Sequence, residues 1–172
     1  MRDLFILFLL FISNSSFSQG TTIEEALKDH FTRLNSIECK YQQEKHLSIL
    51  NEPLISTGIF KYEKEGNIRW EQQTPFREVY LINRESENVL DKYVQQFILS
   101  ILKGSILNDK RFEVIYSENE KSYIALVIPV KGSVKHKINQ IKLTFNQEVI
   151  ALIQLEIISK NGDLSRINFY DN

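Results

Sequence analysis

A single cysteine, Cys39, serves all 172 residues. No disulfide can close within the chain, so its fold must hold by packing alone, even in an oxidising compartment. Glycine and proline are nearly as scarce, at six and three residues. That scarcity excludes a flexible linker and a low-complexity tail, and no internal repeat is visible. Neither sign of charge is in excess: 21 Lys and Arg face 22 Asp and Glu. The balance gives no reason to expect nucleic acid or an anionic membrane surface as a general partner. Histidine is sparse too. His30, His46 and His136 stand far apart, with no His-x-His, Cys-x-x-Cys or His-Glu-x-x-His spacing, so a metal site has no sequence support. Neither a Gly-x-Ser-x-Gly elbow nor a phosphate loop is present. The carboxylates are scattered over alternate, solvent-facing strand positions. The sequence therefore supports no catalytic residue, no cofactor and no enzyme activity.

What is present begins with a nine-residue apolar run at 4–12, preceded by Arg2 and followed by small polar residues from Ser13 to Ser18. This is the pattern of a secretory signal peptide, residues 1–18, with cleavage after Ser18. The run is too short for a bilayer-spanning helix, which needs about 20 apolar residues. No cysteine stands at the processing site, so lipid attachment there is not expected. Residues 19–172 read as one exported domain, large enough for one sizeable core.

The spacing predicts a helix over 23–34. Thr22 and Glu25 form a capping-box pair, and Ile23, Ala26, Leu27, His30, Phe31 and Leu34 share one face. A lone histidine in such a stripe is more often a satisfied buried side chain than a ligand. From Ser36 the period changes to two: Ile37, Cys39 and Tyr41 alternate with Glu38, Lys40 and Gln42 as far as His46. A hairpin over 56–76 follows, with Gly58, Phe60 and Tyr62 leading into a turn at Lys64, Glu65, Gly66 and Asn67. Ile68 and Trp70 lead out, and Pro75 ends the second strand. A short strand at 79–82 completes a meander. Asp91 then caps a helix whose apolar face carries Val94, Phe97, Ile98, Ile101 and Leu102, stopped by Gly104. This helix reads either as a plug completing the core or as a lid over a cavity. Five further strands are expected at 112–116, 123–129, 138–145, 149–158 and 164–170. Asn146-Gln147 and Asn161-Gly162 supply turns, and Ile141, Leu143 and Phe145 share a face, as do Ile124, Leu126 and Ile128. The fold class is α+β. A sheet of about nine strands with one apolar face must curl, and helices on its concave side would cover that face.

The hairpin pattern Ser56-x-Gly58-x-Phe60, Lys64-x-Gly66, Arg69-Trp70 and Pro75 resembles that of the LolA family of outer-membrane lipoprotein carriers. So do Tyr41-x-Gln43, Ile128-Pro129, Ile141-x-Leu143 and Asn161-Gly162-Asp163 followed by Ile167-x-Phe169. The resemblance covers nearly all of the mature chain and implies an incomplete, half-open β-barrel with a helical lid on the concave side. It implies a monomeric periplasmic carrier that shuttles the acyl chains of lipoproteins from an inner-membrane exporter to an outer-membrane acceptor. The expected cavity residues are Tyr41, Ile68, Trp70, Tyr80, Leu126, Leu143 and Phe145, covered by Phe97 and Ile101. The basic residue important in the best-known carriers falls at Lys64, which keeps the charge but loses the forked guanidinium geometry. Glu65 stands where a proline is usual, and the chain stops soon after Phe169. These departures resemble the divergent members found beside aryl polyene or flexirubin pigment genes, a resemblance that implies a lipid-linked pigment or an acyl lipid as cargo. A lipoprotein-sensing, protein-binding module of the same fold is the other alternative.

Overall fold

Thr22 opens the first element as the spacing predicts: its hydroxyl accepts from the Glu25 amide and the Glu25 carboxylate accepts from the Thr22 amide. With these free amides satisfied, helix α1 runs Ile23–Arg33 and buries Leu27 and Phe31. The computed structural model describes residues 22–64, 67–82, 100–101 and 103–171. The signal segment 1–18 with its cleavage site lies outside the described residues. So do the turn residues Glu65 and Gly66, and Phe97 with most of the expected second helix. Of that helix, Ser100 and Ile101 are described and helical, and Ile101 is buried.

The strands are β1 (Ser36–His46), β2 (Leu54–Glu63), β3 (Asn67–Thr74), β4 (Glu78–Ile82), β5 (Phe112–Glu118), β6 (Ser122–Pro129), β7 (Ile138–Asn146), β8 (Leu152–Ser159) and β9 (Leu164–Tyr170). They form one sheet in the order β4-β3-β2-β1-β9-β8-β7-β6-β5, antiparallel at every pairing. Two meanders, β1 to β4 and β5 to β9, are thus stitched together where β1 pairs with β9. The sheet does not close, because β4 and β5 remain its two edges.

One face of this sheet is the core. Cys39, Phe60 and Trp70 stand level across β1, β2 and β3, while Ala125, Leu143, Leu155 and Ile167 do so across β6 to β9. Ala125, Val127, Ile141, Leu143 and Phe145 have no accessible surface at all. Phe31 of α1 meets Phe145 edge-on at 5.7 Å, seating the helix on this concave face. Gly104 lies against the Phe31 ring at a φ of 64°, and the 3₁₀ turn Ser105–Asn108 buries Ile106 and Leu107 beside it. The other face is polar along its middle. Glu44, Arg166, Glu156 and Lys142 make a ladder across β1, β9, β8 and β7, with contacts of 3.8, 2.8 and 3.6 Å.

Three details depart from the sequence reading. Leu126 is not a concave-face residue: it stands opposite Lys142 and Ile115 on the convex side, taking Ile124 and Ile128 with it. The run from Tyr123 to Pro129 is apolar at nearly every position, so alternation alone cannot choose its phase; the pairing of small Ala125 with Leu143 decides it. The eighth strand starts at Leu152 rather than Val149. The Asn146 side chain accepts from the amides of Glu148 and Val149, and Ile150 takes a φ of 52°, which together lengthen the turn. A single helical turn, Val134–Lys137, also precedes β7 where the sequence suggested only a connection.

Candidate functional site

Between α1 and the concave face lies a half-open cavity of about 320 Å³. The helix contributes His30, Phe31 and Leu34 to its lining. The sheet contributes Ile37 and Cys39 from β1, Phe60 from β2, Trp70 from β3, Leu152, Ile153 and Leu155 from β8 and Phe169 from β9. Ile101 reaches it from the connection between β4 and β5. Period-two alternation explains this convergence: each strand turns every second side chain to the concave side, and curvature brings β3 and β8 to face one space.

The aromatic wall is continuous. Phe60 meets Trp70 at 5.3 Å and Phe169 at 6.0 Å, both edge-on, and Tyr41 lies 4.7 Å from Trp70. The mouth is more polar, with Ser36, Glu38, Asn146 and Asp171. Burial lowers the pKa of His30, so the ring is held toward its neutral form. The Cys39 thiol is pushed up to about 11, by burial first and then by the carboxylates of Asp171 and Glu38. A thiol so protonated is a poor nucleophile and acts as a small apolar wall residue. Among the described residues no group of three or more His, Cys, Asp or Glu could hold a metal ion.

The residues expected from the sequence separate into groups. Trp70 and Ile101 line the cavity. Tyr41 is buried behind the wall, folded over Gly58 and against Trp70, its pKa raised by burial to about 12. Ile68, Leu143 and Phe145 sit on the concave face but are enclosed in solid core. Tyr80 stands level with Trp70 on edge strand β4 and donates its hydroxyl proton to Glu78. Leu126 is on the far side of the sheet, and Phe97 lies outside the described residues. Lys64 does not reach the cavity lining; its ammonium donates to the Thr32 carbonyl at the end of α1, 3.1 Å away. Sequence reasoning did not assign His30, Phe31, Cys39, Phe60, Leu152 or Phe169 to a cavity. The amphipathic stripe of α1 signalled two of these six, His30 and Phe31. The rest needed the β1–β9 pairing, which no local pattern encodes.

An open antiparallel sheet that wraps an apolar space beneath a helix defines the half-barrel class of hydrophobic-cavity proteins. Within it, this chain belongs to the LolA family: residues 32–172 match the family described as outer membrane lipoprotein carrier protein LolA. It is 22% identical over 157 residues to the outer-membrane lipoprotein carrier protein of Pseudoalteromonas translucida (strain TAC 125), spanning 86% of this chain and 74% of that one. Its fold is similar to the crystal structure of MucB, with a TM-score of 0.52 and 16% identity over 86% of this chain; the match spans only 56% of MucB. A LolA superfamily protein from Nitrosomonas europaea also matches, with a TM-score of 0.37 and 8% identity over 86% of this chain and 91% of that one.

Proposed function

We propose that this protein is a periplasmic carrier that takes the acyl chains of a lipoprotein or lipid into the cavity beneath α1 and moves them between the inner and outer membranes. The observation that carries the reading is the apolar wall itself: Phe31, Phe60, Trp70, Leu152, Leu155 and Phe169 around an unfilled space of about 320 Å³. That volume falls at the small end of the range for ligand pockets, about 300–1,000 Å³. Each methylene moved from water into such a wall gains about 0.8 kcal/mol. A half-open cavity holds a chain by this term alone and gives it up to a deeper acceptor, so the work requires no bond chemistry. The signal-peptide pattern at 1–18 supports export.

The test is to isolate the protein from its own cell envelope and compare native with denaturing mass spectra. Acyl-bearing molecules released on denaturation support the carrier role, and their masses separate lipoprotein from lipid or pigment cargo. Ile153→Trp, at a half-open position of the lining, fills the space and is expected to weaken binding of a fluorescent fatty acid about tenfold, the loss of roughly two methylenes' worth of contact. Leu126→Ser on the convex face should leave that binding unchanged. A protein that is repeatedly empty and ignores the fluorescent probe is not an acyl carrier.

A further inference from the structure

The cavity lining holds aromatic rings and carboxylates but, among the described residues, no lysine or arginine. Phe60 and Trp70 stand level across β2 and β3, and Cys39 continues the row into β1. One step beyond the Lys40–Tyr170 pair, Asp171 comes level with Cys39 and so ends the same row at the mouth. Phe169, two residues before it, joins the wall against Phe60. Of the two carboxylates at the mouth, Glu38 is engaged by Lys61 at 2.7 Å. Asp171 is exposed and makes no ion pair among the described residues. The basic side chain on this lining, His30, is half buried, with its ring edge-on to Phe31.

We propose that the polar end of the cargo carries an ammonium group, and that the aromatic row ending in Asp171 selects such amphiphiles over acyl chains that end in an anion. This rests on the acyl-binding reading above. The physical argument has an attractive and a repulsive half. An ammonium group is drawn both to the aromatic wall, which Phe169 brings to within two residues of Asp171, and to the Asp171 carboxylate, and both attractions grow as the site loses water. A carboxylate or phosphate monoester brought to the same rim meets Asp171 with no lysine or arginine on the lining among the described residues to offset it, so the anionic cargo is penalised rather than merely not favoured. The ammonium could belong to an amine-bearing lipid or to the free amino terminus of an acylated peptide; the intact cargo masses distinguish those sources.

Three probes with one tail and different heads test this on the purified protein: decyltrimethylammonium, decanoate and decyl maltoside, each competing with a fluorescent acyl probe below its micellar concentration. The ammonium probe is expected to bind about tenfold more tightly than decanoate, the size a partly desolvated cation–aromatic contact supplies. In Asp171→Asn the gap should narrow to about threefold, and in Asp171→Lys it should reverse. Both substitutions are at an exposed position, and an unchanged urea midpoint verifies the fold. Equal binding of the three heads, or a gap that both variants retain, overturns the ammonium selection while leaving the acyl cavity standing. Failure of all three probes to bind overturns both.

Discussion

A β-carbon placed on Gly58 would lie 1.9 Å from the Glu71 carbonyl oxygen and 2.8 Å from the Tyr41 ring. The residue sits where β2 shifts register against β3, so the backbone there has drawn close to its neighbour and the Tyr41 ring fills the space that a side chain would take. Gly58→Ala must therefore push apart two strands or displace Tyr41 from Trp70. A loss of roughly 1–3 kcal/mol of stability is expected, read as a lower urea midpoint with unchanged slope. Glycine at 58 was visible in the sequence as part of the hairpin; why it must be glycine was not, because the obstacle comes from β1 and β3. The same limit separates Leu143 from Leu126. Both looked like core leucines, yet one is fully enclosed and the other stands opposite Lys142. Leu143 alternates with Lys142 and Thr144, which marks its face, whereas Leu126 stands in an all-apolar run whose phase only the partner strands set.

Helix α1 was legible almost to the residue, because its boundaries are written locally in Thr22, Glu25 and the apolar stripe. Its attachment is less local. Lys64, thirty-two positions on from Thr32, brings its ammonium to the carbonyl end of the helix, and its amide donates to Asn35 at 2.8 Å. A positive charge at that end complements the exposed carbonyls of the last turn. Lys64→Met keeps the stem and removes the charge. The expected cost is about 0.5 kcal/mol, with faster amide exchange confined to the last turn of α1 as the readout. If α1 forms one wall of the cargo cavity, a looser helix end is also a looser wall. The turn after β7 shows the reverse case: Asn146 was read correctly as a turn residue, but its side-chain bonds to two amides extend the loop and delay β8 by three residues.

At the scale of the molecule, nine strands and a curled sheet followed from counting alternating segments, whereas their order did not. Each meander is a chain of neighbours, but the junction between them pairs β1 with β9, and the Gln43–Ser165 hydrogen bond spans 122 residues. The two halves of the core therefore join only after almost the whole chain has been gathered. Folding dominated by so distant a pairing is slow, and refolding followed by the emission of Trp70, the chain's sole tryptophan, is expected in the range of milliseconds to seconds. A microsecond phase carrying the full change in Trp70 emission would contradict that order of events. The same topology leaves both sheet edges, β4 and β5, joined to each other by a single stretch of chain, 83–111. Because no ladder joins those edges, the width of the opening is set by the curl of the sheet rather than by a closing pair of strands.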